Sequence, residues 1–181
     1  MNEEETGAAV SAMRAVAHPL RLQMLSLLTG AELSAAEVAR ELDLTHANAS
    51  YHLRVLLEAD EIVVAGEEKI RGGVAKRYRY PHERAGLNPR ATSPSTADDQ
   101  VFYARALGLE IERRLQHRAP GPGPHSDLEG WVPPEVWEQA NALLMEAAML
   151  VHEANQAPRS PGTIHVSQTL WAFPMTQQEP R

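Results

Sequence analysis

The chain contains no cysteine, and that one absence removes disulfides, zinc ribbons, thiolate metal sensing and cysteine nucleophiles together. No apolar run approaches the roughly 20 residues that a membrane-spanning helix needs. The first residues, Met1-Asn2-Glu3-Glu4-Glu5, are acidic where a secretory leader would be basic. A cytoplasmic protein with no membrane partner is the expectation. Nor is there a glycine loop built to cradle phosphate, a nucleophile elbow, or a carboxylate pair in a catalytic context. Neither an enzyme nor a bound cofactor is therefore expected.

What is present is a globular composition. With 181 residues, 43% of them apolar, the chain holds one sizeable domain, or one small domain with an appendage. The formal net charge is −7, a poor balance for any partner of nucleic acid until it is divided along the chain. Residues 10 to 90 carry 11 Lys/Arg against 10 Asp/Glu, whereas residues 91 to 181 carry 6 against 11. Between 69 and 90, Lys69, Arg71, Lys76, Arg77, Arg79, Arg84 and Arg90 face only Glu83. Screening weakens the distant acids beyond about 8 Å at physiological salt, so this local excess governs attraction to phosphate.

The strongest pattern lies between residues 12 and 80. Val10 to Val16 is a short Ala-rich apolar stretch. Pro19 then stands at the first position of a helix, where its missing N–H costs nothing. Leu20, Met24, Leu27 and Leu28 repeat at helical spacing, and Thr29-Gly30 ends the run. Ser34 and Glu37 have the spacing of a capping box at the start of the next helix, which buries Val38 and Leu42. Asp43-Leu44 turns the chain, and Thr45 caps a further helix that runs to about Ala59.

On that last helix Ala49, Leu53 and Leu56 share one face and belong to the core, since successive residues advance by 100°. His46, Ala47, Ser50, Tyr51 and Arg54 then lie at its start and on its outward face, where they could meet base edges in a major groove. Any surface helix turns polar residues outward, so this face alone does not separate a reader of DNA from a bland surface. The following segment tips the balance. Glu61 to Ala65 reads as a strand, Gly66 to Gly73 as a turn and Val74 to Tyr80 as a second strand, which makes a hairpin wing. Lys69, Arg71, Lys76, Arg77 and Arg79 are its candidate phosphate or minor-groove contacts. The competing view is a solvated basic hairpin whose charge guards an exposed edge.

With these residues in place the segment resembles the ArsR family of bacterial winged-helix regulators. Ala15-Val16-Ala17-His18-Pro19-Leu20-Arg21-Leu22-Gln23-Met24-Leu25 matches that family's opening motif. Ser50-Tyr51-His52-Leu53-Arg54-Val55-Leu56 matches its Ser-x-His-Leu-x-x-Leu recognition-helix motif. The likeness covers about residues 10 to 82. It implies a homodimeric repressor that reads an imperfect palindrome in double-stranded DNA and releases it on a signal. It also implies that His46, Ala47, Ser50, Tyr51 and Arg54 face DNA, with His52 supporting the helix as much as touching the duplex. The metal-sensing version is not expected. Val38-Ala39-Arg40-Glu41-Leu42 has no cysteine pair, and His117, His125, His152 and His165 are isolated, without His-x-x-His or Asp-x-His spacing. A metal site could then come only from His117, Glu112 and His152 gathered across a dimer. No metal residue is assigned, and a small organic effector, or none, is expected.

The remaining chain divides into a Pro/Ser/Thr-rich linker at 83–96 and a C-terminal region at 97–181. Val101, Ala104, Gly108, Ile111 and Leu115 make a helical stripe after Thr96. Ala119 to Pro124 breaks it, and Pro133-Pro134 opens a helix striped by Val136, Ala140, Leu143, Ala147, Leu150 and Ala154. The plain reading is a helical dimerisation hairpin. The sharper one is an effector pocket walled by Trp131, Trp137, Phe102 and Tyr103. Ile164, Val166, Leu170 and Ala172 alternate with polar neighbours, which predicts a terminal strand. The expected fold is thus mostly α with a small β-hairpin wing: a winged helix-turn-helix at 10–82, then a helical hairpin and a strand. Two other classes stay open, a MarR-like effector-responsive regulator and a winged-helix protein-interaction module that does not bind DNA. The mark of the second would be a neutral or acidic wing.

Overall fold

The computed structural model describes residues 13–70, 73–81 and 96–176. Most of the expected 83–96 linker, the acidic first residues and Arg71 lie outside the described residues. After a helical turn at 13–16, α1 spans Pro19–Gly30, β1 Leu33–Ser34, α2 Ala35–Glu41 and α3 His46–Glu58. The strands β2 (Val63–Ile70) and β3 (Gly73–Arg79) follow, and then α4 (Ala97–Leu115) and α5 (Pro134–Glu153). The sheet has the order β1-β3-β2 and is antiparallel throughout.

Local chemistry fixes the start of each early helix. The His18 Nδ1 accepts from the Leu20 N–H at 3.2 Å and caps α1, with Pro19 in its first turn. At α2, Ser34 Oγ accepts from the Glu37 N–H while the Ser34 N–H donates to the Glu37 carboxylate at 2.8 Å, a complete capping box. Thr45 Oγ1 accepts from the Asn48 N–H at the head of α3. Between α2 and α3 the chain turns through Asp43 in the left-handed region, φ 53°, which a short Asp side chain tolerates better than most.

One core joins these elements. Val16, Met24, Leu25, Leu28, Val38, Ala39, Ala49, Leu53, Leu56 and Ile62 are buried together, and Tyr78, Tyr80 and Tyr103 pack against them. The wing is tied down at its base: the Tyr80 N–H donates to the Leu28 carbonyl at 2.9 Å, and β1 pairs with β3 through Leu33–Tyr78 and Ser34–Arg77.

Three expectations need correction. The first concerns the hairpin, whose first strand does not end at Ala65. The register slips between Val64 and Gly66, and pairing then resumes to Ile70. Gly66 thus continues the strand past a bulge and does not open the turn.

The second concerns the C-terminal helices. α4 forms where expected, capped by Thr96 with Asp99, but the face it buries holds Asp99, Ala106 and Glu110, while Val101, Ile111 and Leu115 stay exposed. Its partner α1 presents Gln23, so the contact is polar: Gln23 Nε2 donates to Glu110 Oε1 at 2.6 Å. Arg14, just before α1, reaches Asp99 at 3.0 Å. Helix α5 buries no residue, so the two helices do not close into a hairpin within one chain.

The third concerns residues 163–173, which form no strand. A lone strand needs an edge to pair with, and this segment has no regular secondary structure, with Trp171 set edge-on against Tyr103 at 5.6 Å.

Candidate nucleic-acid interface

Helix α3 is held by its inner face, which buries Ala49, His52, Leu53 and Leu56. That anchoring leaves His46, Ala47, Tyr51 and Arg54 exposed and Ser50 half-buried. At 100° per residue these five span about 140° of arc, one continuous face at the amino-terminal end of the helix. Tyr51 is 54% exposed. The face mixes a close-approach residue, Ala47, with hydroxyl, phenol, imidazole and guanidinium groups, the set that can bond the donor and acceptor edges of a major groove. All five residues expected from the sequence are therefore brought together.

His52 is turned the other way. Its ring lies 4.8 Å from that of His18 and 5.2 Å from Tyr51. Burial first, then the neighbouring His18 and Arg21, push its pKa below the ordinary 6.5. His18 is lowered as well, by burial and by Arg21. Both rings are thus held neutral, and His18 in that state keeps the lone pair that caps α1. His52 thus packs behind that exposed face.

The wing delivers its cations unequally. Lys69 and Lys76 are exposed, and Lys76 stands opposite Glu67 in the register. Arg79 is half-buried and donates to the Tyr80 carbonyl at 3.4 Å. Arg77 is engaged within the protein: Nη1 donates to Glu37 at 3.2 Å and to Glu68 at 3.0 Å, and Nη2 donates to the Glu32 carbonyl. Arg71 lies outside the described residues. Sequence reasoning missed the part of Glu67 and Glu68, because it counted charge from residue 69 onward. Pairing Ile70 with Gly73 would have set Glu67 across from Lys76 and Glu68 across from Ala75, diagonal to Arg77. Between 61 and 80 there are five basic and three acidic side chains, so the wing stays net positive.

The described residues hold no group of three or more His, Asp or Glu arranged to bind a metal ion, and no described helix is long and apolar enough to cross a membrane. Of the proposed pocket walls, Trp131 is 85% exposed and Phe102 50%; Tyr103 instead packs on the core and against Trp171.

Two capped helices joined by a tight turn, with a β-hairpin folded against them, define a winged helix-turn-helix, the architecture of DNA-binding transcription regulators. Comparison with known proteins agrees: residues 16–62 match the model of a helix-turn-helix domain. Among solved structures the chain is similar to reduced HlyU from Vibrio cholerae, with 23% identity over 64% of this chain and 96% of that one and a TM-score of 0.35. No curated protein matches.

Proposed function

We propose that the protein is a sequence-specific, cytoplasmic transcriptional repressor of the ArsR type that binds an imperfect palindrome as a homodimer and does not sense metals through thiolates. The observation that carries this reading is the exposed amino-terminal face of α3. His46, Ala47, Ser50, Tyr51 and Arg54 stand free of the core that fixes the helix, and Lys69 and Lys76 lie on the adjoining wing. The helix residues read bases, and the lysines, with Arg71 and Arg79, meet phosphate. Dimerisation is supported by the unfilled apolar face of α5, which a second copy would cover. A small organic effector is the signal this reading allows.

The decisive experiment is selection of duplexes from a random pool by the full chain. A recovered palindrome with half-sites about 10 base pairs apart, one helical turn, is the expected result. Recovery of no preferred sequence would leave the protein-interaction module as the better account.

A further inference from the structure

Glu37 Oε2 does two jobs at once. It accepts from the Ser34 N–H and from Ser34 Oγ, each at 2.8 Å, which starts α2. It also accepts from Arg77 Nη1 at 3.2 Å. The same Arg77 atom donates to Glu68 on β2 at 3.0 Å, and Nη2 donates to the Glu32 carbonyl in the loop before β1. In the sheet, Arg77 pairs directly with Ser34, the residue that caps α2. One guanidinium thus joins both strands of the wing to the first helix of the helix-turn-helix, at the place where the two units meet. Its side chain is only 28% exposed, and leaving for a phosphate would break its bonds to Glu37, Glu68 and the Glu32 carbonyl at once.

We propose that Arg77 is a positioning residue: its fork braces the wing against the start of α2 and so sets the wing's offset from the reading face of α3. The proposal rests on the DNA-binding reading for its consequence, not for its geometry. A planar fork can hold two carboxylates and a carbonyl together, whereas a lysine ammonium is a point charge on a flexible stem. Arg77→Lys therefore keeps the charge and loses the brace. A phosphate contact and a brace can be told apart because each phosphate neutralised adds about 0.9 to the slope of log affinity against log salt.

The test uses the full chain and a duplex recovered by the parent protein from a random pool. Arg77→Gln and Arg77→Lys should both weaken binding about tenfold at fixed salt, the scale of a lost charged hydrogen bond, with the parent's salt slope unchanged. Lys76→Gln should lower that slope by about 0.9. Glu37→Gln keeps a capping-box residue but weakens the ion pair, so it should weaken binding although it removes a negative charge near the DNA. Without DNA, hydrogen exchange of the β2 and β3 amides should quicken in both Arg77 variants and stay at the parent's rate in Lys76→Gln. A slope that falls by about one contact in Arg77→Gln, parental affinity in Arg77→Lys, or tighter binding by Glu37→Gln would each overturn the proposal. If the parent recovers no duplex, the DNA-binding reading fails by itself. Exchange then decides the brace, and unchanged wing rates would refute it.

Discussion

At the scale of single residues, His18 and His52 make the fold sensitive to mild acid. Their pKa values lie below 6.5 because the folded chain buries His52 and half-buries His18 beside Arg21. The unfolded chain binds protons more readily, so their contribution to stability is complete above pH about 6.5 and is lost as pH falls from there toward the folded values. Protonated His18 would also lose the lone pair that accepts from Leu20. The melting temperature should therefore drop between pH 7.5 and pH 5, and His52→Leu should flatten that part of the profile. A parental pH dependence in His52→Leu would show that the pair is not the sensor. On the opposite face of α3, Ser50→Ala and Tyr51→Ala should relax base preference by about 1–3 kcal/mol per lost contact while leaving the salt slope unchanged. Repeating the duplex selection with each variant measures this directly; an unaltered consensus from both would remove them from the reading face.

At the scale of elements, what could be read in advance was what neighbouring residues determine. The Ser34–Glu37 box, the Thr45 cap and the buried Ala49, Leu53 and Leu56 all follow from spacings within a turn or two of helix, and the structure shows each. Contacts between distant segments were not legible in the same way. Arg77 meets Glu37 across 40 positions, and it looked like one more cation of a basic wing. Helix α4 is the clearest case. Its apolar stripe suggested the buried side, yet Asp99 and Glu110 are buried there beside Ala106, because what faces the two acids is Gln23 and Arg14. Glu110 is further bonded by Arg113 at 2.9 Å, so the buried charge is paired. Glu110→Ala should then cost about 2 kcal/mol through lost charged hydrogen bonds, whereas Val101→Ala on the exposed stripe should stay within about 0.5 kcal/mol. Urea unfolding of the two variants separates them, and the reverse order would mean that α4 turns its apolar face inward. The terminal strand failed for a related reason. Alternation at 164–172 is a necessary pattern, but a strand also needs a partner edge.

At the scale of the whole molecule, the C-terminal arm touches the reader at few points. Arg159 pairs with Glu41 at 2.6 Å, His152 lies edge-on to Tyr80 at 5.7 Å, and the backbone of Gln156 passes so near Gly30 that a methyl group there would collide with it. Helix α5, which carries His152, fully buries none of its 20 residues and half-buries only Trp137, Ala148, Met149 and His152. Val136, Leu143 and Leu150 are 47%, 59% and 66% exposed and recur every seventh residue, so they form one stripe down the helix. Such a stripe is poorly stable in water on a helix without a partner, and most helical stability comes from packing an apolar face. In the proposed dimer a second copy would supply that packing and would also set two recognition helices at a fixed separation, which a palindrome requires. Leu143→Glu with Leu150→Glu should therefore shift the protein from dimer to monomer in sedimentation, and it should weaken binding to a full palindrome far more than to a half-site. The reader's own melting should change little, because neither residue touches its core. A double variant that still sediments as a tight dimer would place the interface elsewhere, on the exposed Val101, Ile111 and Leu115 of α4, where Ile111→Glu would be the variant to break it.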